Sequence, residues 1–322
     1  MKILITGSEG SLMHSVTPKL LKQGHTIVGV DNLFRHGKAS DLANQKYKFI
    51  NQDLTDRQGT SDLCQGFDVV FLAAAKIYGV GGFNHYCGDI ISDDTAIQGN
   101  ILKSCAKHNV KHVVYISSSM VYESCIQDAR VPVTEDLVDN CIMPKTDYGL
   151  SKLLGERMCH AFYKQYGINY TIWRPFNIIT PYEKSMPMQG FSHVFADFIN
   201  NIIVKNLNPL PIIGDGNQIR CFTWIDDVAE IISRYSFDDR ALNQAFNICN
   251  VEPITMRQLA KKIFYWHGSS EQLQFQTVKE YPNDVIVRIP SVDKLSTTFG
   301  EYNYQTIDQS IQQCVQGVNI ES

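Results

Sequence analysis

Short apolar runs rich in β-branched residues alternate with amphipathic stretches through the first half of the chain. These runs predict six β-strands, at 2–6, 26–30, 48–51, 69–73, 112–117 and 170–173. The runs VVFLAA and HVVYIS are apolar almost throughout, which is typical of parallel strands that have helices packed on both faces. The alternation therefore predicts strand–helix–strand units and an α/β fold built on a doubly wound, Rossmann-like parallel sheet.

The pattern loosens after residue 174, where prolines divide the chain into shorter segments. We predict helices at 192–204, 256–266 and 307–315, a helix that ends the segment 222–236, and a further sheet strand at 245–249. Thr255 is a candidate N-cap for the helix at 256–266. Because the sequence contains no linker long enough to separate independent domains, we expect a smaller α/β lobe that is interleaved with the large sheet.

The composition is that of an ordinary folded protein. Of the 322 residues, 44% are hydrophobic and 19% are charged, which excludes a disordered or low-complexity chain. The 29 Lys and Arg residues and 33 Asp and Glu residues give a net charge of −4, so no overall basic surface indicates nucleic acid or an anionic membrane as partner. No apolar run approaches the roughly 18 residues that cross a bilayer, and MKILITG is typical of a strand, so we expect a cytoplasmic location.

The nine cysteines are scattered along the chain, without a CxxC pair and without the paired His spacing of a zinc site. Several, such as Cys105 and Cys249, lie inside apolar stretches, where a small buried side chain is the simplest explanation. We therefore expect reduced thiols, no disulfide framework and no metal site.

A glycine-rich turn, TGSEGSLM at 6–13, directly follows the first predicted strand. Gly7 permits a tight turn, and Gly10 allows the backbone to approach a pyrophosphate. The pyrophosphate would then meet the free N–H groups and the positive end of the next helix, predicted at 16–23 and ended by Gly24. The order of strand, glycine turn and helix predicts a dinucleotide-binding site.

Asp31 closes the second predicted strand, 24 residues after Gly7. A carboxylate there accepts a hydrogen bond from a ribose 2′-hydroxyl and repels a 2′-phosphate, so NAD is predicted rather than NADP. Met13 departs from the pattern, because a third Gly or Ala normally lets the helix pack closely on the strand. We therefore expect either a slight outward shift of the helix or weaker cofactor binding.

Tyr148 and Lys152 are four residues apart in a long helical stretch, so both side chains lie on one helix face. A neighbouring ammonium favours the phenolate, and we expect it to lower the Tyr148 pKa toward the range that general acid–base catalysis needs. Ser117, Ser118 and Ser119 end the strand predicted at 112–117 and lie at the carboxyl edge of the sheet, where ligands of such folds bind. Together these residues predict a catalytic site beside the dinucleotide.

Motifs along most of the chain, in the right order, resemble those of the extended short-chain dehydrogenase/reductase family, and more narrowly its NAD-dependent nucleotide-sugar epimerase/dehydratase group. They are TGSEGSLM, Asp31, Asp53-Leu54, LAAAK at 72–76, SSSMVY at 117–122, YGLSK at 148–152, RPFN at 174–177 and GDGNQIRCFTWIDD at 214–227. The resemblance implies an NAD-binding domain over 1–175, joined by about 215–250. It implies a nucleotide-sugar-binding lobe made mainly of 176–214 and 251–322.

The resemblance also implies roles for individual residues. Ser118, counted back from Val121-Tyr122, would share the substrate proton with Tyr148, while Lys152 would hold the nicotinamide ribose and tune Tyr148. The implied cofactor contacts are Gly7, Gly10, Ser11, Leu12, Asp31, Asn32, Asp53, Leu54, Ala73, Ala74, Lys76, Tyr148 and Lys152. The implied substrate contacts are Ser118, Ser119, Asn177, His193, Arg220 and Arg288. The two arginines match the family's phosphate-binding positions, where guanidinium geometry allows bidentate contacts.

Position 120 distinguishes among the reactions of this group. By the resemblance, sugar 4,6-dehydratases and decarboxylating relatives carry Glu there, whereas GDP-fucose synthase-like and 3,5-epimerising relatives carry Cys. Met120 can neither give nor take a proton, so hydride transfer alone is expected. We favour a 4-epimerase, because Asp31 selects NAD, and NAD suits a cofactor that is recycled in place.

Other functions stay open. The segment LAAAKIYGVGG and His193 also resemble GDP-fucose synthase-like enzymes, which favours a 4-keto-sugar reductase or epimerase/reductase unless His193 merely begins a helix. A non-catalytic NAD-binding sensor is a further hypothesis, supported by Met13 and opposed by the intact Ser118, Tyr148 and Lys152. Lys184 is a weak candidate partner for a sugar carboxylate.

An apolar stripe follows Tyr148 along its predicted helix and exceeds what one face needs to cover the sheet. Its members are Leu150, Leu153, Leu154, Met158, Ala161 and Phe162. Relatives in the family pair this helix and its neighbour across a two-fold axis into a four-helix bundle. The resemblance therefore implies a homodimer.

Overall fold

A computed structural model describes residues 1–35, 37, 42, 44–124, 131–140, 143–183, 185–282 and 284–321. Cys125, Cys141 and Lys184 lie outside the described residues. The strands are β1 Lys2–Thr6, β2 Thr26–Asp31, β3 Tyr47–Asn51, β4 Val69–Leu72, β5 His112–Ile116, β6 Asn169–Pro175, β7 Ile178–Ile179, β8 Leu210–Ile213, β9 Ile219–Cys221, β10 Thr223–Trp224, β11 Gln244–Ile248, β12 Pro253–Thr255, β13 Phe275–Val278 and β14 Val287–Arg288. The helices are α1 Ser11–Lys22, α2 Arg57–Thr60, α3 Val80–His85, α4 Cys87–Lys107, α5 Leu137–Asn140, α6 Asp147–Tyr166, α7 Val194–Ile199, α8 Ile225–Tyr235, α9 Met256–Trp266, α10 Asp293–Phe299 and α11 Ile307–Glu321.

Seven strands form the central sheet in the order β11-β6-β5-β4-β1-β2-β3. Every pairing between neighbours in this sheet is parallel. All seven strands were expected from the sequence, and their ends differ from the predicted ones by at most two residues. The doubly wound, Rossmann-like sheet is therefore confirmed.

Helices cover both faces of the sheet, which explains the unbroken apolar runs. Successive residues of β1 point to opposite faces: Ile3 and Ile5 pack in one core cluster with side chains of α1 and α8, and Leu4 packs in another with side chains of α4 and α6. All three are fully buried. Full burial of such a side chain contributes about 1.5–3 kcal/mol, so the pattern in β1 specifies a strand with two covered faces.

A further core cluster lies in the second half of the chain, where short strands pair outside the central sheet. There β8 pairs with β13, while β9 pairs with β12 and β14. Side chains of α7, α9 and α11 pack together in this cluster. As predicted, Thr255 begins α9, and it forms a reciprocal capping box with Gln258.

Two predicted helices have different bounds in the structure. The helix predicted at 192–204 is α7 followed by a π-helical turn at Asn200–Val204. The helix predicted at 307–315 is α11, which continues to Glu321. Within the described residues, no helix is long and apolar enough to span a membrane.

The seven cysteines that the structure describes are free thiols, and six of them are buried. The Sγ atoms of Cys64 and Cys105 are 3.6 Å apart. Among the described residues, no three His, Cys, Asp or Glu side chains are arranged to hold a metal ion.

Candidate active site

A cleft of about 520 Å³ lies at the carboxyl ends of β1, β2, β4, β5 and β6. This volume is within the range of small-molecule sites. All the predicted cofactor and substrate residues line this one cleft, from Gly7 after β1 to Arg288 in β14. The fold thus brings together residues that are far apart in the sequence.

The turn after β1 leaves no room for a side chain at position 7. Gly7 has a φ of +68°, and a Cβ atom there would lie 2.8 Å from the backbone N and Cα atoms of Ala74. The Gly7 N–H donates to the Val30 carbonyl at 2.8 Å, which joins the turn to β2. Gly10 then precedes α1 without a side-chain cap, so the first N–H groups of this helix are free to bind an anion.

Asp31 ends β2 with its carboxylate held by the backbone. One oxygen accepts from the Leu33 N–H at 2.7 Å and the other from the Glu9 N–H at 3.1 Å. Each oxygen has two lone pairs, so the carboxylate can still accept from a ribose hydroxyl. Met13 is 2% exposed and packs in the core cluster of β1 and α1, so the interior accommodates its side chain. Its effect on cofactor affinity stays a prediction.

Ser118, Tyr148 and Lys152 come together on one wall of the cleft. Thr146 caps the N-terminus of α6 by accepting from the Gly149 N–H, which places Tyr148 in the first helical turn. The Tyr148 side chain hydrogen-bonds with Ser118. The Lys152 Nζ atom lies 5.8 Å from the centre of the Tyr148 ring and donates to the Ile116 carbonyl at 2.9 Å.

The Tyr148 pKa differs from the sequence-based expectation. Burial raises this pKa, and the nearby Asp94 carboxylate raises it further, against the opposite effect of the Ser118 hydrogen bond. The expectation that Lys152 lowers the Tyr148 pKa is wrong for the chain as it stands. The reason is that Tyr148 is 5% exposed, so a phenolate would lose its hydration, and a lysine 1% exposed does not offset that loss. A positively charged ring bound beside Tyr148 would act in the opposite direction.

A buried ion pair lies behind the wall of the cleft that carries Ser118, Tyr148 and Lys152. Arg174 in β6 donates to both carboxylate oxygens of Glu156 in α6, at 2.9 and 2.7 Å. The Ser117 hydroxyl donates to the same carboxylate at 2.5 Å, and the Tyr122 hydroxyl accepts from Arg174 at 2.7 Å. These bonds tie α6 to β5 and β6. Removing one partner of such a pair costs about 3–5 kcal/mol, because the other charge stays buried.

The two predicted phosphate-binding arginines are both buried, but the hydrogen-bond partners of their guanidinium groups differ. Arg220 donates to Asp284 at 3.1 Å and to the carbonyls of Ile219, Val285 and Ile286. Burial and the charge of Arg288 lower the Arg220 pKa to about 9. Arg288 is 6% exposed, and its Nε atom has no hydrogen-bond partner among the described residues.

A buried cation that lines a cleft and has a hydrogen-bond donor without a partner is suited to an anionic ligand. Burial lowers the Arg288 pKa as well, so an approaching anion stabilises its charged form. Asn177 lies at the same end of the cleft and donates from its side chain to the Cys221 carbonyl at 2.9 Å.

His193 lies at the start of α7 with its ring half exposed to the cleft. Its Nδ1 atom is 2.9 Å from the Glu183 carboxylate, which also faces Arg35 at 3.5 Å. Burial alone would lower the His193 pKa, but the charge of Glu183 and its hydrogen bond to His193 together outweigh burial and raise it. The pairing with Glu183 therefore favours the protonated form of His193.

Three further residues of the site were not expected from the sequence. Phe83 stacks on the Tyr148 ring, with ring centres 4.3 Å apart and planes 10° apart. Asp94 and Glu123 are fully buried carboxylates whose charges act on Tyr148. The local pattern held no signal for them, because Asp94 follows another Asp in a polar stretch of helix and Glu123 follows a predicted motif directly.

Comparison with known proteins agrees with this geometry. The family model "NAD dependent epimerase/dehydratase family" matches residues 3–249. The uncharacterized UDP-glucose epimerase YtcB of Bacillus subtilis is 28% identical, over 85% of this chain and 85% of that protein. A putative UDP-glucose 4-epimerase of Methanocaldococcus jannaschii is 30% identical, over 78% of this chain and 82% of that protein.

The fold also matches that of a UDP-glucuronic acid 4-epimerase from Bacillus cereus, solved in complex with UDP-glucuronic acid and NAD. The TM-score is 0.84 at 23% identity, with all of both chains covered. The chain therefore belongs to the NAD-dependent epimerase/dehydratase family, and NAD is its cofactor. The close approach of Gly7 to Ala74, the uncapped start of α1 and the oriented Asp31 carboxylate fit this cofactor.

Proposed function

We propose that this protein is a nucleotide-sugar 4-epimerase, which removes a hydride from the sugar C4 atom and returns it to the opposite face. One observation carries the proposal. Ser118, Tyr148 and Lys152 share one wall of the cleft, and the neighbouring position 120 on that wall is Met, which exchanges no proton. The names of the relatives from Bacillus subtilis and Methanocaldococcus jannaschii support the same activity.

The chain's own residues supply binding and proton transfer in this proposal. The Tyr148 oxygen takes the proton of the sugar 4-hydroxyl, with Ser118 hydrogen-bonded to both oxygens, and returns it after the sugar has turned. Lys152 would stabilise the ionised Tyr148 and hold the nicotinamide ribose. A bound NAD would supply the hydride acceptor and donor that the epimerisation needs. Phe83 and the surrounding walls exclude water from the Tyr148 oxygen.

The diphosphate of the substrate is assigned to Arg288, with Arg220 behind it. Arg288 also donates from Nη1 to the Met120 sulfur at 2.9 Å, a weak acceptor that a phosphate oxygen replaces readily. Glu123 is the remaining acid on this wall. One of its oxygens accepts from both the N–H and the hydroxyl of Thr146, so these hydrogen bonds hold the Glu123 side chain at the start of α6.

A second candidate function is reduction of a nucleotide 4-keto-sugar, as in the GDP-fucose synthase-like enzymes. The pairing of His193 with Glu183 in the same cleft favours it, because this pairing favours the protonated imidazole, which can act as an acid toward a sugar. The two functions differ in whether NAD is regenerated in each turnover.

Product analysis tests the proposal. Purified protein with NAD is incubated with UDP-glucose, UDP-glucuronic acid and their dTDP and GDP counterparts, and the C4 configuration is followed by NMR. The expected result is interconversion at C4 with no net change in NADH. Loss of water from the sugar, or reduction of a 4-keto-sugar with consumption of NADH, would refute the 4-epimerase. Binding of NAD without turnover of any nucleotide-sugar would instead support a sensor.

We also propose that two copies associate through α4 and α6. Leu150, Leu153, Leu154, Met158 and Phe162 of the predicted stripe are partly exposed in the single chain, although Leu153, Met158 and Phe162 also touch core clusters. Light scattering on the purified protein tests this, and a monomer at micromolar concentration would contradict it.

A further inference from the structure

Asp94 is a fully buried carboxylate on α4, packed against the catalytic helix α6. One of its oxygens accepts from the backbone N–H of Lys76 at 2.8 Å, and the other accepts from the Ser151 hydroxyl at 2.9 Å. Lys76 follows β4 in the cofactor half of the cleft, and Ser151 directly precedes Lys152. Asp94 thus joins the segment that follows β4 and contains Lys76, here called the cofactor loop, to α6, which carries Tyr148 and Lys152.

The charged groups around Lys152 differ in whether another charge already balances them. The titratable groups that face it are Asp94 on α4, Glu156 and Tyr148 on α6, and Tyr115 on β5. The Glu156 charge is balanced by Arg174 through two hydrogen bonds. Asp94 forms no salt bridge with any residue that the structure describes. Its charge interacts with that of Lys152, which favours the ionised carboxylate, and more weakly with that of Asp93, which opposes it.

The two charges depend on each other because both are buried. Burial lowers the Lys152 pKa, and the Asp94 carboxylate opposes this effect more strongly than Glu156 does. Burial raises the Asp94 pKa, and the Lys152 charge is the strongest opposing influence. Each group therefore favours the charged form of the other.

We propose that Asp94 is a positioning residue whose ionised carboxylate, held by Lys76 and Ser151, is the counter-charge that keeps Lys152 protonated in the cleft. The hydrogen bond to Lys76 makes this counter-charge part of the cofactor loop, so cofactor binding and the charge of Lys152 are linked. The role of Lys152 in turnover rests on the proposed function, whereas its charge state is measurable without any substrate.

Titration of Lys152 by NMR tests the proposal directly. Protein labelled with ¹³C at lysine Cε is titrated from pH 6 to 11, and the Lys152 signal is assigned by its loss in Lys152→Met. Asp94→Asn keeps an oxygen for Lys76 and removes the charge, so Lys152 is expected to lose its proton about one to three pH units lower. Ser151→Ala is the matched control, because it removes one hydrogen bond of Asp94 and keeps the charge, and it is expected to leave the Lys152 titration unchanged.

An unchanged Lys152 titration in Asp94→Asn would overturn the proposal, whatever the enzyme turns out to catalyse. If Asp94→Asn does not fold, Asp94→Ser provides a second neutral variant with the same expected shift.

With a working epimerase assay, the pH profile supplies a second readout. Asp94 also raises the Tyr148 pKa, so its neutralisation lowers the pKa values of both Tyr148 and Lys152. The whole profile is therefore expected to move to lower pH, by about one unit or more. A fall in kcat with an unmoved profile would indicate a merely structural role and contradict the proposal.

Discussion

The cleft has a half that we assign to the cofactor and a half that we propose for the substrate, and the two are built in different ways. The cofactor half comes from the ends of β1, β2 and β4, which are neighbours in the sheet, and much of it is backbone: the Gly7 turn and the first N–H groups of α1. The substrate half comes from separate segments that contribute side chains, chiefly Asn177, His193 and the two arginines. Changes in the cofactor half should therefore act through close packing of the backbone, and changes in the substrate half through charge.

Tyr148 stands where the two halves meet, and its replacement has the largest expected effect. Tyr148→Phe removes the oxygen that takes the substrate proton in the proposed mechanism and keeps the ring stacked on Phe83. We expect kcat to fall about 10²- to 10⁴-fold, measured as C4 interconversion by NMR, with binding of UDP nearly unchanged. Tyr163→Phe on the exposed face of the same helix is the control and should retain activity. Undiminished turnover in Tyr148→Phe would remove Tyr148 from the mechanism.

In the substrate half, Arg288→Met tests the role of charge. The variant loses a guanidinium whose Nε atom is buried and has no hydrogen-bond partner among the described residues, and hydrogen bonds to charged groups contribute about 1.5–3 kcal/mol. We expect UDP to bind about ten- to a hundredfold more weakly by calorimetry, with little change in Tm. Arg234→Met on the exposed side of α8 is the control.

Arg220→Met tests whether the two arginines differ in their contribution to the stability of the fold. Arg220 holds Asp284 and three carbonyls, so its loss should lower Tm as well as affinity. If Arg288→Met lowered Tm and left UDP binding intact, Arg288 would be a structural residue and the assignment of the diphosphate would be wrong.

In the cofactor half, Gly7→Ala tests the role of backbone packing. The added Cβ would meet the Ala74 backbone at 2.8 Å, and the left-handed conformation costs a non-glycine residue about 1–2 kcal/mol. We expect NAD affinity, measured by calorimetry, to fall about tenfold or more. Gly24→Ala shares the left-handed conformation, with a φ of +90°, but its Cβ would have no atom within 4 Å. Equal NAD affinities of these two variants would show that contact with Ala74 does not matter.

The smallest effect is expected for the Glu183–His193 pair. Burial would raise the Glu183 pKa, but the charge and hydrogen bonds of His193 outweigh it and lower the pKa to about 2. The ionised Glu183 therefore stabilises the folded protein. This stabilisation is fully present above the ordinary Glu pKa of 4.5 and is lost as the pH falls toward 2. The His193 pKa is raised, so its contribution is complete below 6.5 and is lost at higher pH.

The Tm difference between the wild-type protein and Glu183→Gln should therefore be largest between about pH 4.5 and 6.5. Because His193 is half exposed, we expect about 1 kcal/mol or less, which is a Tm difference of about 1–3 °C. Adding His193→Gln to Glu183→Gln should then have little further effect on Tm. A difference that grew steadily up to pH 9 would contradict the charged pair.

Patterns that are local in the sequence predicted the sheet and the cofactor half. The apolar runs of β1, β4 and β5 have the length and the unbroken apolar character of parallel strands that are covered on both faces. The turn at Gly7 follows β1 directly, so residues adjacent in the sequence determine the geometry of this turn. The spacing of Tyr148 and Lys152 predicted one shared helix face for the same reason. Even the capping box at Thr255 and Gln258 involves residues only three apart.

By itself, therefore, the sequence determined the parallel sheet, the family, the cofactor and the identity of the residues that line the cleft. Only the tertiary structure decided how the titratable groups interact: burial raises the Tyr148 pKa, the Asp94 charge acts on Lys152, and Glu183 pairs with His193. The physical reason is that strand and turn geometry follows from steric and hydrophobic patterns over a few residues. A buried charge depends instead on lost hydration and on partners that folding brings in from distant parts of the chain.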